Sequence, residues 1–120
     1  MKKSIGKFDN YDLYLTIASY RNNDRIYIAV ETDDSLYADV TINLSDLMIP
    51  NDNYIFVSGD ISKELRDFLV EKKIIGEPIE TYQYNMGRYD MVKTDFKVLK
   101  EYDSIGFKNY EKNKNTELEL

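Results

Sequence analysis

The sequence predicts an α+β protein: an antiparallel β-meander of about five to six strands, with a single helix at about residues 60–75 packed on one face. In the first half of the chain, hydrophobic side chains recur at every second position between short polar turns, which is typical of strands with one buried face. After Asp60 the hydrophobic spacing becomes that of an amphipathic helix. With 120 residues and 42% hydrophobic content, the chain fits one domain with its own core.

Three strands are predicted in the first half, over residues 11–20, 25–32 and 36–44. The polar segments 21–24 and 33–35 lie between them and are rich in Asn, Asp and Ser, which favour turns. The alternation places Leu36 and Ala38 on the buried face with the other aliphatic residues. It assigns to the outer face Tyr14, Tyr27, Glu31, Tyr37, Asp39, Thr41 and Asn43.

A loop is predicted over 44–53, where Pro50 and an Asn-Asp-Asn cluster disfavour regular structure. A short apolar run at 54–57 predicts a fourth strand. Asp60 is a suitable N-cap for the helix that follows, and Gly76 and Pro78 are suitable residues to end it.

The last part of the chain predicts a strand at 80–84, a turn at 85–87 and a final strand over 89–100. Residues 103–120 are polar, and only Ile105, Phe107 and Tyr110 could anchor them. We therefore expect a globular domain over 1–102 and a polar tail over 103–120, mobile from about Asn113 onward.

The composition excludes several kinds of site. The chain contains no Cys and no His, so it has no thiolate nucleophile, no imidazole base and no Ser-His-Asp triad. The glycines are scattered and form no phosphate-binding motif. We expect a protein that is not an enzyme and has no cofactor or metal. Carboxylate-only chemistry with Mg²⁺ or Ca²⁺, or a glycosidase-like acid pair, is the catalytic alternative left open. No export signal or membrane-spanning run is visible, so the expected location is the cytoplasm.

The acidic residues concentrate in one segment. Between Ile26 and Ser62 there are seven acids and no Lys or Arg, whereas the net charge of the whole chain is -6. Such a field disfavours direct nucleic-acid binding and favours a basic partner. The expected partner-binding residues are Glu31, Asp33, Asp34, Asp39, Tyr14, Tyr27 and Tyr37. A solvated hairpin turn at 33–35, with tyrosines at the edge of a small core, is the simpler explanation of the same residues.

Four stretches carry a resemblance to a known family: residues 6–11 (GKFDNY), 20–23 (YRNN), 37–44 (YADVTINL) and the strand-to-helix run ending at Phe68-Leu69. Over about residues 6–96 the chain resembles a family of small acidic domains of unknown function carried on conjugative elements, plasmids and phages of Gram-positive and related bacteria. The resemblance implies a mobile-element context and no particular activity.

Two roles fit that context. One is inhibition of a host defence nuclease, of anti-CRISPR or anti-restriction type, by docking the acidic, Tyr-rich surface onto a basic protein. The other is an accessory role in conjugation or replication with an element-encoded partner, in which a homodimer through a strand edge is possible. We expect no direct binding to nucleic acid and no binding to a membrane.

Overall fold

The computed structural model describes the backbone of residues 2–119 and the side chains of residues 2–114. The strands are β1 (Gly6–Phe8), β2 (Tyr11–Ser19), β3 (Ile26–Glu31), β4 (Leu36–Asp39), β5 (Thr41–Ile42), β6 (Tyr54–Val57), β7 (Glu80–Tyr84) and β8 (Gly87–Lys93). The helices are α1 (Lys63–Glu71), α2 (Phe96–Tyr102) and α3 (Ser104–Glu119). The predicted α+β class is confirmed, with two antiparallel sheets and three helices within residues 2–119.

The first sheet has the order β1-β2-β3-β4 and is the predicted meander. The register pairs Leu15 with Val30 and Ile17 with Ile28, so these four side chains share the buried face. A register shift at Val30/Glu31 interrupts the pairing of β3 with β4.

The predicted strand over 36–44 is divided between two sheets. Val40 donates its N–H to the carbonyl of Ile28 in the first sheet, at 2.9 Å, and accepts from the N–H of Ser58 beside the second, at 2.8 Å. The second sheet continues from there in the order β5-β6-β8-β7. Val40 is fully buried and is therefore the corner at which one extended segment serves both sheets.

Helix α1 lies inside the predicted helical segment but begins later. Its N-cap is Ser62, whose hydroxyl accepts from the N–H of Leu65 at 3.1 Å, so the assignment of this role to Asp60 was wrong. The helix ends at Glu71 with Lys72 as its C-cap, and Lys73 adopts a left-handed backbone with φ +64°, so the helix stops before the predicted end at Gly76. Leu65 and Leu69 point into the main core.

The predicted final strand over 89–100 is correct up to Lys93 and wrong beyond it. The strand ends at Lys93, and α2 begins after Asp95, whose carboxylate accepts from the N–H of Lys97 at 3.0 Å. The cap explains the change of structure, because an Asp at this position satisfies a free N–H of the first helical turn.

Helix α3 occupies most of the segment predicted as a tail. Phe107 and Tyr110 are buried in the main core, so the start of this segment belongs to the domain. The expected mobility from Asn113 onward falls mainly on residues whose side chains lie outside the described part. Among the described residues, no helix is long and apolar enough to span a membrane.

Asp103, the residue between α2 and α3, contacts the part of β2 that β1 does not cover, and it is 5% exposed. Its Oδ2 accepts from the N–H of Ile17 at 2.9 Å and its Oδ1 from the N–H of Gly106 at 3.1 Å. Lys2 Nζ lies 3.6 Å from Oδ2. Asp103 therefore supplies the acceptor that a further strand would have given to β2.

Candidate functional site

The outer side of the first sheet brings together most of the predicted partner-binding residues. The register sets Tyr14 opposite Glu31 and Ala29 opposite Asp39, and residues directly opposite one another share a face. We define the acidic face by six residues on the outer side of β2, β3 and β4 and in the turn between β3 and β4: Tyr14, Tyr27, Glu31, Asp33, Asp34 and Asp39.

At one end of the acidic face, Tyr27 and Asp39 form a pair. The Tyr27 hydroxyl donates to Asp39 Oδ1 at 2.5 Å, and the Tyr20 ring packs edge-on against Tyr27 with centroids 5.5 Å apart. Partial burial and then the bond to Asp39 raise the pKa of Tyr27. This phenol is therefore a protonated donor at neutral pH, and it fixes the direction of an exposed carboxylate.

At the other end, Tyr14 stands beside the turn between β3 and β4. Partial burial, then the charge of Asp33 and a hydrogen bond to it, raise the pKa of Tyr14. A shallow depression of about 270 Å³ lies here, lined by Lys2, Tyr14, Glu31, Thr32 and Asp33. It is open to solvent and combines one aromatic wall with two carboxylates.

The turn itself is organised by Thr32. Its hydroxyl oxygen accepts hydrogen bonds from the N–H of Asp34 at 3.3 Å and from the N–H of Ser35 at 3.2 Å. Thr32 therefore provides the acceptor for these two backbone donors of the turn. Asp33 and Asp34 are exposed. The turn therefore does not depend on these two carboxylates, which stay accessible to another molecule, with Asp33 beside Tyr14.

Tyr37 does not lie on the acidic face, contrary to the predicted alternation. Glu31 is opposite Leu36 and Val30 is opposite Ala38, so Tyr37 is the extra residue of a β-bulge. Its ring packs against Phe8 with centroids 6.2 Å apart. Leu36, predicted to be buried, is 55% exposed instead. Period-two alternation cannot reveal a bulge, because the extra residue exchanges the two faces.

The predicted outer row of Asp39, Thr41 and Asn43 is also broken, at the corner of the sheets. Thr41 is buried; its hydroxyl shares a hydrogen bond with that of Tyr20 at 2.9 Å and accepts from the N–H of Ile28 at 3.2 Å. The Asn43 amide donates to Asn22 at 2.9 Å. Only Asp39 of this row contributes to the acidic face.

The four carboxylates of the acidic face lack cationic partners. Across residues 2–114, salt bridges are formed by Asp52, Asp67, Asp90, Glu101 and Asp103, and none by Glu31, Asp33, Asp34 or Asp39. Four carboxylates of the described surface therefore lie on one side of the first sheet without a salt bridge, and Lys2 is the one cation that lines the depression beside Glu31 and Asp33.

Sequence reasoning missed two neighbours of this face. Asp12 lies on the same side of β2 as Tyr14, and its charge contributes to the raised pKa of Tyr14. Lys2 crosses the edge of β2 and donates to the Thr16 hydroxyl at 3.1 Å. The alternation along 11–20 already places Asp12 outward, but nothing local to Lys2 indicates its position.

No metal centre is visible in the described part of the chain, where no group of three or more carboxylates is placed to hold an ion. A larger open groove of about 700 Å³ includes the predicted turn 51–53 together with Lys73, Lys93 and Asp95. It mixes both signs of charge and contains no converging set of ligands.

The outer side of the second sheet differs, because it carries a small hydrophobic cluster. Leu44, Phe56 and Met91 are buried there and are surrounded by four partly buried tyrosines: Tyr54, Tyr82, Tyr84 and Tyr89. The Tyr84 hydroxyl donates to Asp46 at 2.9 Å, which ties the loop after β5 across the cluster. These tyrosines fulfil the simpler expectation that tyrosines lie at the edge of a small core.

The sequence of the chain matches the model of one protein family. Residues 14–114 match the family described as Domain of unknown function (DUF4313), and the chain belongs to that family. The match includes the whole acidic face, α1, α2 and the first eleven residues of α3. No curated protein and no solved structure matches the chain.

Proposed function

We propose that this protein is a non-enzymatic interaction protein that docks its acidic face onto a basic surface of another protein. More specifically, we propose that it comes from a mobile genetic element and is an inhibitor of anti-CRISPR or anti-restriction type, which acts on a host defence nuclease. The family resemblance drawn from the sequence supports the mobile-element part. The geometry of the acidic face supports the kind of contact.

One observation carries the proposal: four carboxylates without salt bridges stand beside two tyrosines on an open sheet face. A guanidinium can donate two parallel hydrogen bonds to one carboxylate, and such charged hydrogen bonds contribute about 1.5–3 kcal/mol each. The Tyr14 and Tyr27 rings offer aromatic contact area of the type found at binding hot spots. The combination fits a partner rich in Arg and Lys.

The charge distribution argues against nucleic acid as the direct ligand. The net charge is -6, and the acidic face would repel phosphates. The same field attracts a basic channel that normally holds nucleic acid, and it accelerates association at low salt. A nuclease with such a channel therefore satisfies the chemistry of the acidic face.

The test is capture of partners from host lysate on the immobilised protein, with nuclease treatment to remove bridging nucleic acid, followed by mass spectrometry. The triple variant Asp33→Asn, Asp34→Asn, Asp39→Asn removes three carboxylates from the acidic face. A control with the same charge change, Asp60→Asn, Glu71→Gln, Glu77→Gln, removes three exposed carboxylates elsewhere.

The proposal predicts that wild type and control capture the same basic nuclease and that the acidic-face variant does not. Binding should also weaken as salt rises, because exposed charges are screened. Capture of element-encoded proteins alone would replace the inhibitor role by an accessory one. Equal capture by both triple variants would show that the acidic face is not the docking surface.

A further inference from the structure

The two sheets have four edge strands, and β7 differs from the other three. β1 has three residues and β5 has two, while β4 carries a bulge and the charged Asp39. Such shortness, bulges and charges are the usual protection of an edge against pairing with another strand. β7 has five residues, Glu-Thr-Tyr-Gln-Tyr, and pairs with β8 without a register shift; its one charge, Glu80, lies at its first residue. In the described part of the chain its only pairing is with β8.

The hairpin geometry shows which backbone groups of β7 face outward. Tyr84 pairs with Gly87 across a two-residue turn, and the residues that flank such a turn form a hydrogen-bonded pair. Hydrogen-bonded and non-hydrogen-bonded pairs then alternate along the hairpin, so Tyr82 bonds to Tyr89 in β8. The N–H and C=O groups of Thr81 and Gln83 point to the open side.

We propose that β7 pairs antiparallel with β7 of a second copy of this chain, about a two-fold axis at Tyr82. In that register Thr81 lies opposite Gln83 of the other copy, and two such pairs form four backbone hydrogen bonds. Glu80 lies opposite Tyr84 of the other copy, so no like charges meet across the pair. The edge is therefore complementary to itself, as a two-fold interface requires.

Two exposed hydrophobic residues support a second copy as the occupant. Ile79 is 52% exposed and Met86 is fully exposed, and they lie at opposite ends of β7. Antiparallel pairing brings Ile79 of one copy beside the turn that carries Met86 of the other, at both ends of the interface. The dimer would thus remove from water side chains that the single chain leaves exposed.

The size of the contact makes this dimer reversible. Five residues on each side, with Ile79 and Met86, bury less than the roughly 1,600 Å² of a standard interface. We therefore expect the dimer to have a dissociation constant on the order of 10–100 μM. Because β7 belongs to the second sheet, pairing leaves the acidic face of each copy uncovered, and the dimer would be bivalent for a partner.

Two measurements test the pairing on the full chain. Sedimentation velocity over a range of concentrations should show a monomer–dimer equilibrium. Hydrogen exchange by NMR should show the amides of Thr81 and Gln83 slowing as concentration rises, while the amide of Tyr82, which bonds within the hairpin, does not change. A monomer at about 1 mM, or amides at 81 and 83 that do not respond to concentration, would overturn the proposal.

A pair of variants tests the register. Thr81→Lys with Gln83→Lys places Lys opposite Lys twice in the dimer and should weaken it at least about tenfold. Thr81→Lys with Gln83→Glu places opposite charges there and should dimerise at least as tightly as wild type. Thermal unfolding of both variants establishes that they fold. Equal weakening in the two variants would contradict this register even if a dimer is present.

Discussion

Asp103 and Asp39 are two carboxylates at contrasting places beside and within the first sheet. Asp103 is buried at the junction of β2 and α3, where it accepts from two backbone N–H groups and lies 3.6 Å from Lys2 Nζ. Asp39 is exposed on the acidic face, and its one hydrogen bond in the described structure comes from the Tyr27 hydroxyl. The fold depends on the first carboxylate, whereas the second is available to another molecule.

This difference separates structural acids from candidate functional ones more clearly than composition does. Both kinds of carboxylate count equally in the net charge of -6. Burial and donors distinguish them: a buried carboxylate must be paired, while an exposed one costs little when it is left free.

Gly106→Ala should produce the largest loss of stability. A Cβ at this position would collide with the Ile17 carbonyl oxygen and the Asp103 carboxylate, so α3 would have to move from the edge of β2. We expect the free energy of unfolding in urea to fall by about 3 kcal/mol. Gly59→Ala is the matched control, because its Cβ would meet only the Tyr89 ring at 3.7 Å. An equal effect at both glycines would contradict the close approach of α3.

Asp103→Ala should cost about 2 kcal/mol, because it leaves the buried N–H of Ile17 without an acceptor. Asp39→Ala should change the free energy of unfolding by no more than about 0.5 kcal/mol, as for other exposed positions. Chemical denaturation of the two variants gives the comparison directly. Similar losses in both would remove the distinction between the two regions.

Alkaline pH should destabilise both regions through their tyrosines. Burial raises the pKa of Tyr110 in the core, and burial with the Asp39 bond raises that of Tyr27. In both cases the folded state holds the proton more tightly than the unfolded state. The stabilisation is complete below the unfolded-state pKa of about 10 and is lost as pH rises above it. Thermal unfolding at a series of pH values from neutral to above the tyrosine pKa measures this decline, and a constant melting temperature across the series would contradict it.

Tyr110→Phe isolates the contribution of the core to that decline. The Tyr110 hydroxyl is buried and has no hydrogen-bond partner among the described residues, so its removal leaves no donor unpaired. We expect stability at neutral pH to be unchanged or higher by up to about 1 kcal/mol, and the alkaline decline to be shallower. A decline as steep as in wild type would assign it to tyrosines elsewhere, such as Tyr27.

The triple variant of the acidic face should have the smallest effect on stability. Asn retains the turn preference of Asp at 33 and 34, and at 39 it can still accept from the Tyr27 hydroxyl. We expect the free energy of unfolding to stay within about 0.5 kcal/mol of wild type. A larger loss would show that the fold uses these carboxylates, which would undermine their assignment to binding.

The sequence predicted the fold class and the first sheet because period-two alternation and polar turns are local signals. It also placed Tyr14, Tyr27 and Glu31 correctly on the outer side of that sheet. It misplaced Tyr37 because a bulge is set by the pairing of two strands. It missed α2 because Asp95 acts as a helix cap only once β8 has ended. It interpreted the segment of α3 as a tail because the positions of Phe107 and Tyr110 in the sequence do not show which core they pack into.

The most direct test of the central claim is the affinity of the captured partner for three proteins: wild type, the acidic-face variant and the control with the same charge change. Both triple variants move the net charge from -6 to -3, since each removes three carboxylates. We expect the control to bind the partner with nearly the affinity of wild type. The acidic-face variant should lose at least about a hundredfold in affinity. Equal affinities of the two variants would contradict this expectation.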